Sequence, residues 1–175
     1  MKKYINYLFV GFLAYCSVGI ITGIVNMASF FQVINTNVMA TGGHTFINDA
    51  SKELFLPRAI ALSIMGFVLV CALIFACIFI ALNKSKSSKI IAILISAASL
   101  VGSFISLFLI NNMYELPKYN NYYYQYKSYY HFTLQQILAD AAKSLFIPII
   151  SVAVMLLIYT FISADKNQCV KETEQ

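Results

Sequence analysis

The chain has 175 residues, of which 60% are hydrophobic and 11% charged, with a formal net charge of +5. Soluble domains carry about 45–50% apolar and about 25% charged residues, and a mean hydropathy of +0.75 excludes a water-covered globule. The positive balance needs no nucleic acid to explain it, because its densest lysines flank apolar runs, where they also suit anionic lipid headgroups.

The first run, Tyr4 to Phe31, carries no charge over 28 residues. A helix needs about 20 apolar residues to cross a hydrocarbon core of about 30 Å, and the apolar part of a secretory leader spans only about 7–15. The run therefore predicts a retained spanning helix over 4–31. Within it, Gly19-Ile20-Ile21-Thr22-Gly23 is a GxxxG, and Gly11 lies two turns earlier. Small residues at this spacing let membrane helices approach closely.

An outer segment follows, 32–56. Its Thr41-Gly42-Gly43-His44 predicts a tight turn, and the β-branched flanks on either side predict a short hairpin-like loop. Asp49 to Phe55 reads as one or two helical turns before Pro57 opens the second span, 57–82. A short polar link, Asn-Lys-Ser-Lys-Ser-Ser-Lys, joins it to the third span, 90–110, so these two form an antiparallel hairpin. In the third span Ala98, Gly102 and Ser106 recur every four residues, again a packing pattern.

The second outer segment, 111–133, concentrates tyrosine: seven of the chain's twelve fall in YNNYYYQYKSYYHF, residues 119–132. Lys118, Asn121, Gln125 and Ser128 recur at steps of three and four, and Tyr119, Tyr122, Tyr123, Tyr126, Tyr129 and Tyr130 fill the opposite stripe. That period predicts an outer amphipathic helix whose tyrosine face meets lipid or a protein partner. A restart at Thr133, followed by Gln136 in capping-box spacing, is expected to bend the chain into the fourth span, 134–164. Pro148 is expected to kink that span, and the polar tail, 165–175, to be mobile.

Lysines 2, 3, 84, 86, 89, 166 and 171 fall on one side of this topology, against Lys52, Arg58, Lys118, Lys127 and Lys143 on the other. The positive-inside tendency then places both termini and the short link in the cytoplasm. The composition is compatible with a bacterial cytoplasmic membrane. The expected fold is an all-α, four-helix membrane bundle in a single domain, 1–175.

Four spans with cytoplasmic ends resemble the disulfide-forming quinone enzymes in outline, but that chemistry needs exposed, low-pKa thiolates. Here Cys16, Cys71 and Cys77 lie within spans, Cys169 lies in the tail, and no CxxC exists, so the overlap is one of architecture. His44 and His131 lack the companions that a metal needs. No P-loop, Gly-x-Ser-x-Gly or His-Glu-x-x-His is present. Catalytic residues, cofactors and metals are accordingly expected to be none. Arg58, Asp140 and Lys143 form a candidate outer ion pair, with Asp140 and Lys143 on one helix face. The expected function is non-enzymatic: an accessory, sensor or immunity-type protein working through contacts in the membrane and at its outer face. The alternatives are an oligomeric pore and a membrane enzyme with an outer polar site. The expected partners are the lipid bilayer and a membrane protein or a second copy of the chain.

Overall fold

In a computed structural model of the chain, the backbone is described for residues 2–36, 40–41, 44–45, 49–82, 86–111 and 122–172, and side chains for 6–34, 55–82, 87–110 and 134–162. Four helices dominate: α1 (Lys2–Thr36), α2 (Asp49–Leu82), α3 (Lys86–Asn111) and α4 (Tyr122–Glu172). Each contains a stretch long and apolar enough to cross a membrane, namely Asn6–Ile34, Phe55–Leu82, Ser87–Ile110 and Leu134–Ile162. A helix is what such stretches demand, since it satisfies every backbone N–H within the segment itself. Between α1 and α2, β1 (Ala40–Thr41) and β2 (His44–Thr45) pair antiparallel, Ala40 opposite Thr45 and Thr41 opposite His44.

Two boundaries differ from the sequence expectation. Helix α2 starts at Asp49 and runs through Pro57, which removes one N–H donor without ending the helix. Helix α4 runs unbroken through Thr133, from Tyr122 to Glu172, with no separate helix at its start. A capping box favours a helix start but does not stop a helix already running, and residues 122–147 contain neither glycine nor proline. At 1.5 Å per residue α4 is about 76 Å long, more than twice a hydrocarbon core of about 30 Å. The polar stretch after Ala164 continues the same helix to Glu172.

Helix α4 is the hub. It packs along α1 and α3 and more lightly on α2, while α2 packs on α3. Helix α1 barely touches α2, and α1 and α3 share no contact among the described residues. Burial follows: 39% of the apolar window of α4 is buried, against 11% of that of α1. At the upper end, where α1 leaves and α2 enters, Phe30, Ile34, Phe55, Ile110, Leu134 and Leu138 are all fully buried. Toward the lower end the interior narrows to Leu73, Ala76, Ala92, Leu156 and Thr160. The outward faces remain apolar, as Val18, Phe67, Phe104 and Phe161 illustrate. In water such faces mark a contact or aggregation surface; hydrocarbon solvates them.

Candidate functional site: the recessed face of α4

Three contacts set the register of α1 against α4. A Cβ built on Gly19 would lie 2.8 Å from Pro148 Cγ, and one on Gly23 would lie 2.4 Å from Leu145 Cα. Nearly one turn higher on α1, Asn26 Nδ2 donates to Ser144 Oγ at 3.0 Å. The helices are therefore antiparallel, and glycine lets the two backbones nearly touch. On the other flank, a Cβ on Gly66 of α2 would meet Leu145 Cδ2 at 2.6 Å, and Gly102 of α3 lies against the Leu69 side chain. Leu145 is thus clasped by two glycines from two helices. The sequence reading marked Gly19 and Gly23 but missed Gly66, whose signal was a lone glycine inside an otherwise bulky apolar helix.

Among the other packing candidates, Gly11 faces open space and Ala98 is exposed. Gly102 is partly buried and Ser106 buried. The buried line of α3 is Ser88, Ala92, Ser96, Ser99, Ser103, Ser106 and Ile110. Its steps of three and four describe a left-handed seam rather than a strict four-residue repeat. Ser103 Oγ donates to the Ser99 carbonyl and Ser106 Oγ to the Gly102 carbonyl, both at 2.8 Å. The hydroxyls of Ser63, Ser96 and Ser99 and the Gln135 Nε2 are buried with no hydrogen-bond partner.

Helix α4 turns Ser144 and Pro148 to α1 and Leu145 and Phe146 to α2. Its exposed stripe is Gln136, Asp140, Lys143, Ile147, Val154, Ile158 and Phe161, on the side away from α2. Because α1 and α3 both pack on α4 and share no contact among the described residues, this stripe lies open between them. Its upper part is polar and its lower part apolar. Lys143 Nζ lies 3.9 Å from Asp140 Oδ1, with side chains 46% and 79% exposed. Arg58, partly buried near the start of the second span, forms no ion pair with Asp140. The three candidate charges thus resolve into one exposed pair on a single helix face.

Tyr122, Tyr123, Tyr126, Tyr129 and Tyr130 fall on the first turns of α4 with their side chains outside the described residues, and Tyr119 lies outside them altogether. His44 stands on β2 and His131 on α4, also without described side chains. Cys16 is buried, Cys77 partly buried and Cys71 exposed, all as free thiols. Among the described residues no three His, Cys, Asp or Glu side chains gather as a metal site would require. The described hydroxyls of Ser17, Thr22, Ser29, Ser103, Ser106, Ser144, Ser151 and Thr160 donate to carbonyls of their own helices. This arrangement seats these hydroxyls against the backbone of their own helices. No family model matches the chain, and neither a curated protein nor a solved structure shows significant similarity to it.

Proposed function

We propose that the chain is a non-enzymatic helical membrane protein, an accessory, sensor or immunity-type protein that acts through contacts within the bilayer and at its outer face. The observation that carries this reading is the distribution of polarity. Among the described residues the buried interior holds no charged side chain, and its polar members are serines, Thr160 and Gln135. Ion-coupled transport ordinarily retains ionisable groups inside the bundle. The charges of the fourth span, Asp140 and Lys143, instead stand exposed on the outside of α4, where a neighbour in the membrane can reach them. Gentle extraction followed by mass measurement of the intact particle tests the proposal. A stoichiometric membrane partner or a defined homo-oligomer is expected; a bare monomer under all mild conditions overturns it.

A second reading, a channel-like effector, is favoured by one observation. The serine line of α3 runs through the interior, and the Ser96 and Ser99 hydroxyls have no partner. Polar groups of this kind can hold water. Solute or ion flux through vesicles containing the purified chain, abolished by Ser96→Val with Ser99→Val, would favour this reading over the first.

A further inference from the structure

We propose that the groove between α1 and α3, floored by α4, binds one phospholipid whose headgroup carries both a phosphate and a primary ammonium. The site begins with depth. Gly66 of α2 lies beside Leu145 of α4, and Leu69, three residues further down, lies beside Gly102 of α3. Gly102 is therefore level with residue 148 of α4, and Ile110, eight residues higher, is level with Asp140. The apolar run of α3, Ile90 to Ile110, ended by Asn111 and Asn112, is 21 residues, or about 30 Å of helix, which matches one hydrocarbon core. Asp140 accordingly sits at the upper edge of the apolar slab. Lys143 lies about 4.5 Å deeper, from where its stem reaches back to the edge.

The chemistry follows from the pair. A carboxylate and an ammonium 3.9 Å apart, both exposed, present adjacent charges of opposite sign on one face. The complement is a ligand with the same two charges reversed: a primary ammonium for Asp140 and a phosphate for Lys143. A quaternary ammonium has no N–H to give the carboxylate, and an anionic headgroup without an amine leaves Asp140 unmatched. Asn26, on the α1 side of the groove, and Ser144 lie at this level. Below the pair the floor turns apolar through Ile147 and Val154, about 16 Å down from Lys143, which is about one leaflet. On the outward side of α3, Phe104, Ile105, Leu107 and Phe108 line an open hollow of about 470 Å³. The same register puts Phe104 to Phe108 level with residues 142–146 of α4, where an acyl chain would enter. A second copy of the chain fits this face poorly, because a concave groove is not complementary to itself about a twofold axis.

The test uses the full chain, purified in mild detergent and exchanged with equimolar phosphatidylethanolamine, phosphatidylcholine and phosphatidylglycerol, with bound lipid counted by native mass spectrometry. One ethanolamine lipid is expected to be retained, about tenfold over either competitor, the worth of one charge-assisted contact. Asp140→Asn should abolish the preference for the ethanolamine lipid, whereas Lys143→Gln should weaken retention of all three, because each carries the phosphate. Asp140→Glu and Lys143→Arg should keep the preference, and Phe67→Ala, at an exposed position of α2, should not alter it. A thermal melt of every variant separates lost lipid from lost fold. Equal retention of the three lipids by the unaltered chain overturns the proposal. So does a preference indifferent to Asp140, a retention indifferent to Lys143, or a second protein chain cross-linked through Lys143 with no lipid retained. The experiment reads the isolated chain, so its failure is distinct from the failure to find a partner.

Discussion

Replacing Gly23 by alanine should separate α1 from α4. The added Cβ would lie 2.4 Å from Leu145 Cα, 2.7 Å from its nitrogen and 2.8 Å from the Ser144 carbonyl oxygen. All three are backbone atoms, which cannot rotate aside. Carbon–carbon contacts rest at about 3.5–4.0 Å, so the helices must part there by about 1.1–1.6 Å. The Asn26–Ser144 bond, 3.0 Å long and less than a turn away, would then stretch past the range of a hydrogen bond. Overpacking of this kind costs about 1–3 kcal/mol, and an interhelical polar contact in a membrane protein adds about 0.6 kcal/mol. Two other glycines grade the effect. At Gly66 the clash is with Leu145 Cδ2, the free end of a side chain, so Gly66→Ala should cost under about 1 kcal/mol. At Gly11 nothing lies within 4 Å, so Gly11→Ala should be neutral or slightly stabilising through its better helix propensity. Unfolding in detergent, followed by circular dichroism with a steric-trapping readout on α1, measures all three. If Gly23→Ala melts with Gly11→Ala, the close approach of α1 and α4 is wrong.

Further expectations concern the polar groups. Asn26→Ala and Ser144→Ala should each destabilise by about 0.5–1.5 kcal/mol and together by less than their sum, which a double-mutant cycle checks. Ser96→Ala and Ser99→Ala should be neutral or stabilising by up to about 1 kcal/mol, because each removes a buried hydroxyl that has no partner. A loss above that size in the same melts would mean that water or a solute pairs with them, in favour of the channel-like reading. Asp140→Asn should change stability by under about 0.5 kcal/mol, as for an exposed ion pair. Arg58→Gln should add to it independently, and a measured coupling between the two would contradict the placement of Arg58 apart from Asp140.

What the sequence revealed was decided by the solvent. Four apolar stretches were legible because the charges of 175 residues leave four gaps, each long enough for a helix to cross a hydrocarbon core. Which face of each helix turns inward was far less legible. In water a buried face differs in polarity from an exposed one, whereas here Leu73 inside α2 and Phe67 outside it are equally apolar. Only size and hydroxyl content marked the packed faces. Gly19 and Gly23 stood out by their four-residue spacing, while the serine line of α3 was hidden because its steps alternate between three and four. The central place of α4 left no local trace, since it is a property of three partners at once. The pair at Asp140 and Lys143 was visible as spacing, but its outward direction, and hence the groove, required the packing of α1 and α3.

The two ends of the bundle are held by different means, and this bears on which element can move. From Met27 upward α1 is locked by Phe30 and Ile34, both fully buried among large side chains of α2 and α4. Below Cys16 no described residue of α1 is buried. There the helix rests on Phe12 and Leu13, partly buried against the core, on the stacking of Phe9 with Tyr159, ring centroids 4.4 Å apart, and on the Tyr159 hydroxyl donating to Asn6 Oδ1 at 3.3 Å. Local opening begins where few apolar contacts must be broken, so the lower half of α1 is the expected site of departure from α4. The glycine contacts at 19 and 23 sit at the junction between the two regimes. A lipid or partner lodged beside α4 at the level of Asn26 would touch α1 above that junction, and its effect would reach the lower half through α1 itself and the contacts of Gly23 with Leu145 and Gly19 with Pro148.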